Sequence, residues 1–394
     1  MAGSVIVAGA RTPIGRFQGG LAGFKATELG GLAIKAALER AGVAPEMVDF
    51  VYMGLVLQAG TGQLAARQAA AAGGIPMDVP ATTVNKVCLS GLNTIILADQ
   101  LIAAGEADIV VAGGMESMTN SPYLLPNARA GYRIGDGAIV DSLMFDGLTC
   151  AFGHCAMGES TELDANGEAI PRAAMDELAA RSHERAASAQ KDGRFDAEIT
   201  VVSVPQRRGD PILVEADEGV RPGTTVETLA ALRGAFGGAG DVTAGNASQI
   251  SDGASAVVVM SKRKAAELGV QPLGEVLGYG QVAGPGTGLL HQPSRAIQKA
   301  LGRAGLSIGD IDLIEINEAF AAVSYASTRD LGVSDDIVNV NGGAISMGHP
   351  IGASGNRLAL TLLHELARRG GGVGAVGICG GGGQGDALLV RSLV

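Results

Sequence analysis

The chain has 394 residues, of which 47% are hydrophobic and 18% charged, so it can bury a large core and is not expected to be disordered. Its length is sufficient for two or three domains. The formal net charge of −11 at pH 7 argues against a nucleic acid as partner.

No targeting segment is expected. The sequence has no apolar run of spanning length, and Met1–Val7 enters a strand without the basic start and long apolar stretch of a secretory signal. Four cysteines in so long a chain do not make a disulfide framework. These features predict a protein of the reducing cytoplasm.

The first third of the chain alternates short buried strands with helices. The predicted strands are Val5–Ala8, Phe50–Met53, Thr82–Val87 and Ile109–Ala112, and the predicted helices are Ala26–Ala41, Gln63–Ala71 and Leu92–Ala104. Gly42 is placed to end the first of these helices. This alternation predicts a mostly parallel sheet covered by helices.

The pattern changes from about Ser117 to about Val242. This segment holds Gly, Tyr and Pro loops, a predicted helix at Pro171–Lys191 and a predicted strand at Ile199–Val204. Buried-strand character returns at Ala254–Met260. Long insertions usually carry binding or assembly roles, so we expect this segment to fold over the sheet.

The last third of the chain repeats the first. Ala41–Val51 is echoed by Ala304–Ile314, and each copy continues with strand, loop, buried helix and strand. In the second copy these elements are predicted at Ile337–Val340, Ala353–Arg368 and Val373–Ile378. Two similar halves would pack as pseudo-symmetric partners. The repeat therefore predicts that Cys88 faces the matching loop of the second half, Gly348–Gly352.

Cys88 lies where a predicted strand ends and a buried helix begins. Unpaired N–H groups and the positive end of the helix dipole meet there, and both favour the nucleophilic thiolate. A free cysteine is nevertheless more often a small apolar residue that fills a core. Taken alone, this stretch favours that structural interpretation.

Three further residues near strand ends favour catalysis. His349 opens a helix, Cys379 precedes a run of glycines, and Asn317 follows a predicted strand. A cysteine beside a histidine suits nucleophilic acyl transfer, and a second cysteine can move a proton. The glycines leave N–H groups free to bind a developing oxyanion. Joint placement at matched positions of the two copies makes catalysis the favoured hypothesis.

Two other kinds of site are not supported. Gly380–Gly385 fits the pattern G-x-G-x-x-G, but a dinucleotide site needs a following helix and Ala387–Val390 is predicted as a strand. His154 and Cys155 are neighbours without a metal-ligand set at workable spacing.

A local basic patch for an anionic small molecule would come from Arg207, Arg208 and Arg221.

At these residues the chain resembles the thiolase family over nearly its whole length. The motifs that carry the resemblance are Ala10–Gly15, Asn85–Cys88, Ala112–Met118, Thr243–Ser248, Asn317–Phe320, Gly348–Gly355 and Cys379–Gly382. The resemblance implies an α/β fold of five layers, α-β-α-β-α, built from two pseudo-symmetric halves plus an inserted loop domain. The halves would be residues 1–118, completed by 243–270, and residues 271–394. Residues 119–242 would form the loop domain over the active site.

The resemblance also implies acetyl-CoA C-acetyltransferase activity. Two acetyl-CoA would condense reversibly to acetoacetyl-CoA and CoA through an acetyl group on Cys88. His349 would activate Cys88, and Asn317 would position a water in the same oxyanion hole. Cys379 would move the α-proton of the second acetyl-CoA. The N–H groups of Cys88 and Gly381 would form a second oxyanion hole.

By the same resemblance, CoA is bound as a substrate and neither a metal nor a prosthetic group is required. The positions that would contact CoA are Leu148, Met157, Arg221, Phe236, Ala244, Ser248, Ala319 and Phe320, with Arg221 near the nucleotide end. Asp146–Thr149 and Tyr132–Met144 resemble the tetramer-forming loop of biosynthetic-type thiolases. A homotetramer, as a dimer of dimers, is therefore expected.

Two positions depart from the family pattern. Ala156 stands where many biosynthetic thiolases carry a histidine, and Leu89 follows Cys88 where glycine or alanine is commoner. A broader 3-ketoacyl-CoA thiolase of β-oxidation, with room for a longer or branched chain, is therefore the alternative function. Ketoacyl synthases typically use two histidines, and the second position here is Cys379. A non-catalytic thiolase-like scaffold is disfavoured because all four reacting residues are present.

Overall fold

The computed structural model describes residues 3–236 and 240–394. The first α/β half begins with β1 (Ser4–Arg11), β2 (Gly15–Arg16), α1 (Ala26–Ala41), β3 (Phe50–Gly54), α2 (Ala65–Ala72), β4 (Ala81–Val84), α3 (Ser90–Ala103) and β5 (Ile109–Ser117). Helix α1 has the predicted bounds and ends at Gly42, whose φ of 62° is left-handed.

The segment that follows contains short elements around one long helix. These are β6 (Tyr123–Leu124), β7 (Val140–Asp141), α4 (Met157–Gly167), α5 (Arg172–Lys191), β8 (Val202–Val204), β9 (Ile212–Val214) and α6 (Val226–Ala230). The chain then returns to the first sheet with β10 (Ser251–Ser261) and continues into α7 (Lys262–Leu268). Residues 237–239, within the segment expected to form a loop domain, lie outside the described residues.

The second half has a similar series of elements. They are β11 (Gly274–Ala283), α8 (Gln292–Ala304), β12 (Leu313–Ile316), α9 (Ala321–Leu331), α10 (Ala344–Met347), α11 (Ser354–Arg368), β13 (Gly372–Gly380) and β14 (Gln384–Ser392). Within the described ranges, no helix combines the length and the apolarity needed to cross a bilayer. All four cysteines are free thiols.

The strand orders of the two halves correspond. The order in the first half is β4-β3-β5-β10-β1 and in the second half β12-β13-β14-β11, and a short pairing of β1 with β11 joins them. β3 is parallel to β5 as β12 is to β13, whereas β10 and β14 run antiparallel to these neighbours. The series β3-β5-β10-β1 thus matches β12-β13-β14-β11, as the sequence repeat predicted.

Strand side chains alternate between an outer and a central core, as the two-residue period requires. On β10, Val257 and Val259 pack with α3 and α11, whereas Val258 packs with α1 on the other face. On β13, Val376 faces α3 and α11, whereas Ala375 faces α8. Helices α3 and α11 therefore form a layer between two sheets, with further helices outside. This arrangement confirms the five-layered α/β fold class.

Three predicted strands are shorter than expected. The strand predicted at Thr82–Val87 ends at Val84, before the turn that carries Cys88. At Ile337–Val340 the chain forms a 3₁₀ turn and then a single parallel bridge from Val338 to Ile314, and at Ile199–Val204 the strand begins only at Val202. Arginine side chains bind carbonyl groups in the last two of these segments. Arg185 donates to the carbonyl of Val338 at 2.6 Å, and Arg40 donates to the carbonyl of Ile199 at 2.6 Å.

Candidate active site

A cavity of about 690 Å³ lies where loops of the two halves meet. Cys88, His349, Cys379 and Gly381 all line it. Cys88 follows β4 and Cys379 lies near the end of β13, so both are at the carboxyl ends of strands with parallel neighbours, where α/β proteins bind ligands. The structure therefore brings together the two sulfurs and the imidazole expected to meet.

Cys88 lies on a tight turn between β4 and α3. Val87 before it has a φ of 51°, in the left-handed region that β-branched residues rarely adopt. The Ser90 hydroxyl accepts the N–H of Lys86 at 2.8 Å and donates to the carbonyl of Val87 at 2.6 Å. Asn85 Oδ1 accepts the N–H of Val87 at 3.1 Å. These contacts hold a strained backbone of the kind found at functional sites.

The backbone N–H groups of Gly381 and of Cys88 itself lower the pKa of the Cys88 thiol. Burial nevertheless raises the pKa of the thiol to about 12, and the Glu116 carboxylate contributes to the rise. The N–H groups thus favour the thiolate, as expected, but desolvation outweighs them. The Cys88 side chain is therefore a neutral thiol at rest.

The loop that carries His349 is fixed at its backbone. The N–H of His349 donates to the carbonyl of Gln249 at 3.1 Å and to the hydroxyl of Ser251 at 3.2 Å. Gly348 before it has a φ of 113°, and a Cβ there would collide with Ser251. Only glycine fits this position, so the Gly-His pair has a conformational cause.

The imidazole of His349 is buried and oriented by Ser354. The two side chains are 2.6 Å apart at Nδ1 and Oγ, and Oγ donates to the carbonyl of Pro350 at 3.0 Å. Nδ1 therefore carries the proton and the basic lone pair is on Nε2, which lies 3.4 Å from Asn317 Nδ2. Burial and the charge of Arg357 lower the pKa of His349 to about 3, so the ring is a neutral base.

Ser354 lies within the motif Gly348–Gly355, and no role was predicted for it from the sequence. A hydroxyl five residues after the histidine, at the start of the following helix, was the available signal.

Asn317 and Cys379 complete the group of expected catalytic residues. The Asn317 N–H donates to the carbonyl of Gly377 at 3.0 Å, which fixes the residue beside β13. Its Oδ1 is buried and has no hydrogen-bond partner among the described residues, so it can accept a donor from water or a ligand. Cys379 is buried, and desolvation and the proximity of Cys88 raise the pKa of its thiol above the usual range.

Glu116 links the two halves beside this site. Its carboxylate accepts the N–H groups of Val56 and Leu57, both at 3.1 Å, and that of Gly352 at 2.8 Å. Gly352 belongs to the loop that carries His349, so one buried side chain ties that loop to the first half. Burial raises the pKa of Glu116 to about 7. This role was not predicted from the sequence, although Glu116 is the one charged residue of the motif Ala112–Met118.

Seven of the eight positions expected to contact CoA line one of two cavities. Those lining the cavity of Cys88 are Leu148, Met157, Ser248, Ala319 and Phe320. Arg221 and Ala244 line a second cavity of about 190 Å³ together with His183. Phe236 packs in one apolar cluster with Met157 and Phe320. Arg207 and Arg208 are exposed between β8 and β9.

The two departures from the family pattern have different surroundings. Leu89 is fully buried, packs against Gly380 and is not among the residues that line the cavity. Ala156 precedes α4 and offers no side-chain cap, whereas His154 lines the cavity from a left-handed backbone with a φ of 53°. If the acyl pocket differs from the family pattern, the difference therefore lies near His154 and not at Leu89.

Comparison with known proteins agrees with this arrangement. The family described as "Thiolase, N-terminal domain" matches residues 4–263, and "Thiolase, C-terminal domain" matches residues 270–392. A probable acetyl-CoA acetyltransferase of Mycobacterium tuberculosis is 56% identical over 392 residues, covering 100% of both chains. One of Mycolicibacterium smegmatis is 56% identical over 98% of this chain and 100% of its own. An acetyl-CoA acetyltransferase of Cupriavidus necator is 50% identical over 98% of both.

Proposed function

The chain belongs to the thiolase family, and we propose that it is an acetyl-CoA C-acetyltransferase that condenses two acetyl-CoA reversibly to acetoacetyl-CoA and CoA. The observation that carries the proposal is the meeting of Cys88, His349, Cys379 and Gly381 in the lining of one cavity. The names of the relatives, all acetyl-CoA acetyltransferases, support the substrate.

The first half-reaction transfers an acetyl group to Cys88. As the sulfur attacks the thioester carbonyl, its proton passes to Nε2 of His349, because neither group is charged at rest. The oxyanion is stabilised by the Nε2–H then formed and by a water held at Asn317. Collapse of the intermediate expels the CoA thiolate, which takes the proton of Cys379. Cys379 is left as a thiolate.

The second half-reaction forms the carbon–carbon bond. The Cys379 thiolate removes an α-proton from a second acetyl-CoA, and the carbanion attacks the acetyl group on Cys88. The N–H groups of Cys88 and Gly381 stabilise the resulting oxyanion. Collapse releases acetoacetyl-CoA, and the Cys88 sulfur recovers its proton from His349. Every group returns to its starting protonation state, so the cycle is balanced.

Two thiol variants test these assignments. After mixing with acetyl-CoA, the Cys88→Ala protein is expected to show no covalent acetyl group by mass spectrometry. The Cys379→Ala protein is expected to acquire the acetyl group but to lose condensation activity. An adduct that persists elsewhere in Cys88→Ala would contradict the nucleophile, and parental condensation in Cys379→Ala would remove Cys379 from the mechanism.

The loop segment is proposed to bind CoA. Residues 119–242 would form the loop domain, with residues 1–118 and 243–270 as one half and residues 271–394 as the other. The acyl and pantetheine part would contact Leu148, Met157, Phe236, Ser248, Ala319 and Phe320, and Arg221 with Ala244 would hold the nucleotide end. Exposure of the Arg221 guanidinium suits a phosphate. A cytoplasmic location and independence from metal remain predictions.

The broader 3-ketoacyl-CoA thiolase is separated from this proposal by chain length. The ratio of kcat/KM for acetoacetyl-CoA to that for longer 3-ketoacyl-CoAs measures the preference directly. A sharp preference for the longer substrates would contradict the acetyl-CoA assignment while leaving the catalytic residues unchanged.

We also propose a homotetramer formed through the segment around β6 and β7. Ile134, Ile139 and Phe145 expose 98%, 66% and 64% of their surface there, an apolar exposure typical of association sites. Replacing Ile134 by Asp is expected to lower the mass measured by light scattering from that of a tetramer to that of a dimer. An unchanged mass would contradict the use of this surface.

A further inference from the structure

The loop Thr149–Ala156 places side by side two free thiols that the proposed reaction does not use. Thr149 and Ala156 form an antiparallel bridge, and the N–H of Cys150 donates to the carbonyl of Cys155 at 2.8 Å. The two cysteines are therefore opposite each other at the base of a four-residue turn. Opposed residues in antiparallel pairs have Cα atoms about 4.5–5.5 Å apart, within the range that a disulfide spans.

The two sulfur atoms point into the same small space. A methyl group at Gly153 would lie 3.3 Å from the sulfur of Cys155 and 3.7 Å from that of Cys150. The sulfurs are thus within about 7 Å of each other, a gap that side-chain rotation can close. The N–H of Gly153 also donates to the Cys150 sulfur at 3.3 Å, which holds this sulfur towards the turn.

Small oxidants can reach this pair. Cys150, Phe152 and His154 line the catalytic cavity, and Cys155 is half-buried. Cys155 is the more exposed of the two residues and so is the one open to a peroxide, whereas Cys150 is buried and is placed to resolve the oxidised sulfur.

We propose that Cys150 and Cys155 form a reversible oxidation site that a hydroperoxide converts to an intraloop disulfide. The Cys155 sulfur attacks one peroxide oxygen, the O–O bond breaks, and Cys155 becomes a sulfenic acid. The hydroxide released from hydrogen peroxide takes the proton of the Cys155 thiol and leaves as water. The Cys150 sulfur then attacks the sulfenic sulfur and displaces hydroxide, which takes the Cys150 proton and leaves as water. Two thiols are oxidised and one peroxide is reduced to two water molecules.

The disulfide would affect the neighbouring oxyanion hole. Phe152 lies in the turn between the two cysteines and packs against Gly382, the residue after Gly381. Closing the ring would change the position of Phe152 and hence the wall of the cavity. This consequence rests on the proposed function, whereas formation of the disulfide does not.

Peptide mass spectrometry separates this site from the catalytic thiols. Trypsin leaves Cys150 and Cys155 together on Ile134–Arg172, Cys88 on Val87–Arg129 and Cys379 on Gly370–Arg391. After mild hydrogen peroxide treatment of the full-length protein, Ile134–Arg172 is expected to lose two hydrogen atoms and to resist alkylation at both cysteines. Dithiothreitol is expected to restore both thiols.

Single variants serve as controls. Cys155→Ser is expected to keep condensation activity and to show no loss of hydrogen in Ile134–Arg172. Cys150→Ser is expected to accumulate a sulfenic acid at Cys155 that a cyclic 1,3-dione traps. The proposal is overturned if Cys150 and Cys155 both still react with the alkylating agent after the peroxide has oxidised Cys88. It is also overturned if either of these cysteines forms a disulfide with another peptide instead. Neither result would bear on acetylation of Cys88.

Discussion

The two halves bring equivalent loops to one cavity, but the loops are built differently. In the first half, β4 is a regular strand, and Cys88 follows it on a turn with a strained backbone and partial exposure. In the second half, the equivalent strand is reduced to one bridge at Val338, and His349 is buried with both its backbone and its ring hydrogen-bonded. The nucleophile is accessible, whereas the base is held rigidly.

This difference shows which properties come from the shared fold and which from local chemistry. The common strand order places the two loops face to face, so their meeting needs no special contacts. Their roles come from the residues that surround each loop. Burial keeps Cys88 as a thiol and His349 as a neutral ring. The pair therefore becomes charged only during the reaction, when the Cys88 sulfur attacks a substrate and its proton passes to His349.

Removal of the base is expected to have the largest effect on this pair. We expect His349→Ala to slow acetylation of Cys88 by about 10²–10⁴-fold, the usual range for a positioned general base. Quenched-flow mass spectrometry of the acetyl-enzyme measures this rate. His154→Ala is the matched control, because His154 lines the same cavity without the hydrogen bonds that orient His349.

Equal slowing in His349→Ala and His154→Ala would mean that the cavity, and not the fixed base, limits acetylation. A rate in His349→Ala close to that of the parent would contradict the division of roles between the two loops.

The next effect concerns stability and tests the burial of the base. The pKa of His349 is about 3 in the folded protein against an ordinary value of 6.5, so below pH 6.5 the unfolded chain binds a proton that the folded chain does not. The free energy of unfolding therefore falls as the pH is lowered. From pH 7 to pH 5 the contribution of His349 is about 2 kcal/mol, and His349→Asn is expected to lose it.

Chemical unfolding of parent and variant at the two pH values measures this difference. Burial and the charge of Arg221 lower the pKa of His183 to about 4, so His183 also lowers the free energy of unfolding as the pH falls. Buried carboxyl groups with raised pKa, such as Glu116 and Glu315, act in the opposite sense. The other histidine and the buried carboxyl groups are the same in parent and variant, so their contributions cancel when the two proteins are compared. An identical pH dependence in parent and variant would show that His349 is not a buried neutral ring.

The sequence was sufficient for features that depend on local pattern or on the repeat. Helix α1 with its Gly42 end, the matching strand orders of the two halves and the meeting of Cys88, His349 and Cys379 all belong to this group. The five layers were expected only from the resemblance to the thiolase family. Side chains that act across long sequence distances were not predictable in the same way. Arg185 and Arg40 each donate to a backbone carbonyl of a segment that is distant in the sequence. The neutral state of Cys88 likewise depends on burial, which no local motif records.

The smallest effect concerns Ser354, which orients the base without contacting the reacting atoms. We expect Ser354→Ala to lower kcat for acetylation about five- to tenfold, the loss of roughly 1 kcal/mol from one hydrogen bond, with KM for acetyl-CoA unchanged. Ser354→Thr keeps the hydroxyl and is expected to restore most of the rate. Ser346→Ala is the matched control, since that buried hydroxyl donates to the carbonyl of Gly343 and not to the ring. If Ser354→Thr is as slow as Ser354→Ala, or if both raise KM, Ser354 supports the loop and does not set the direction in which the imidazole points.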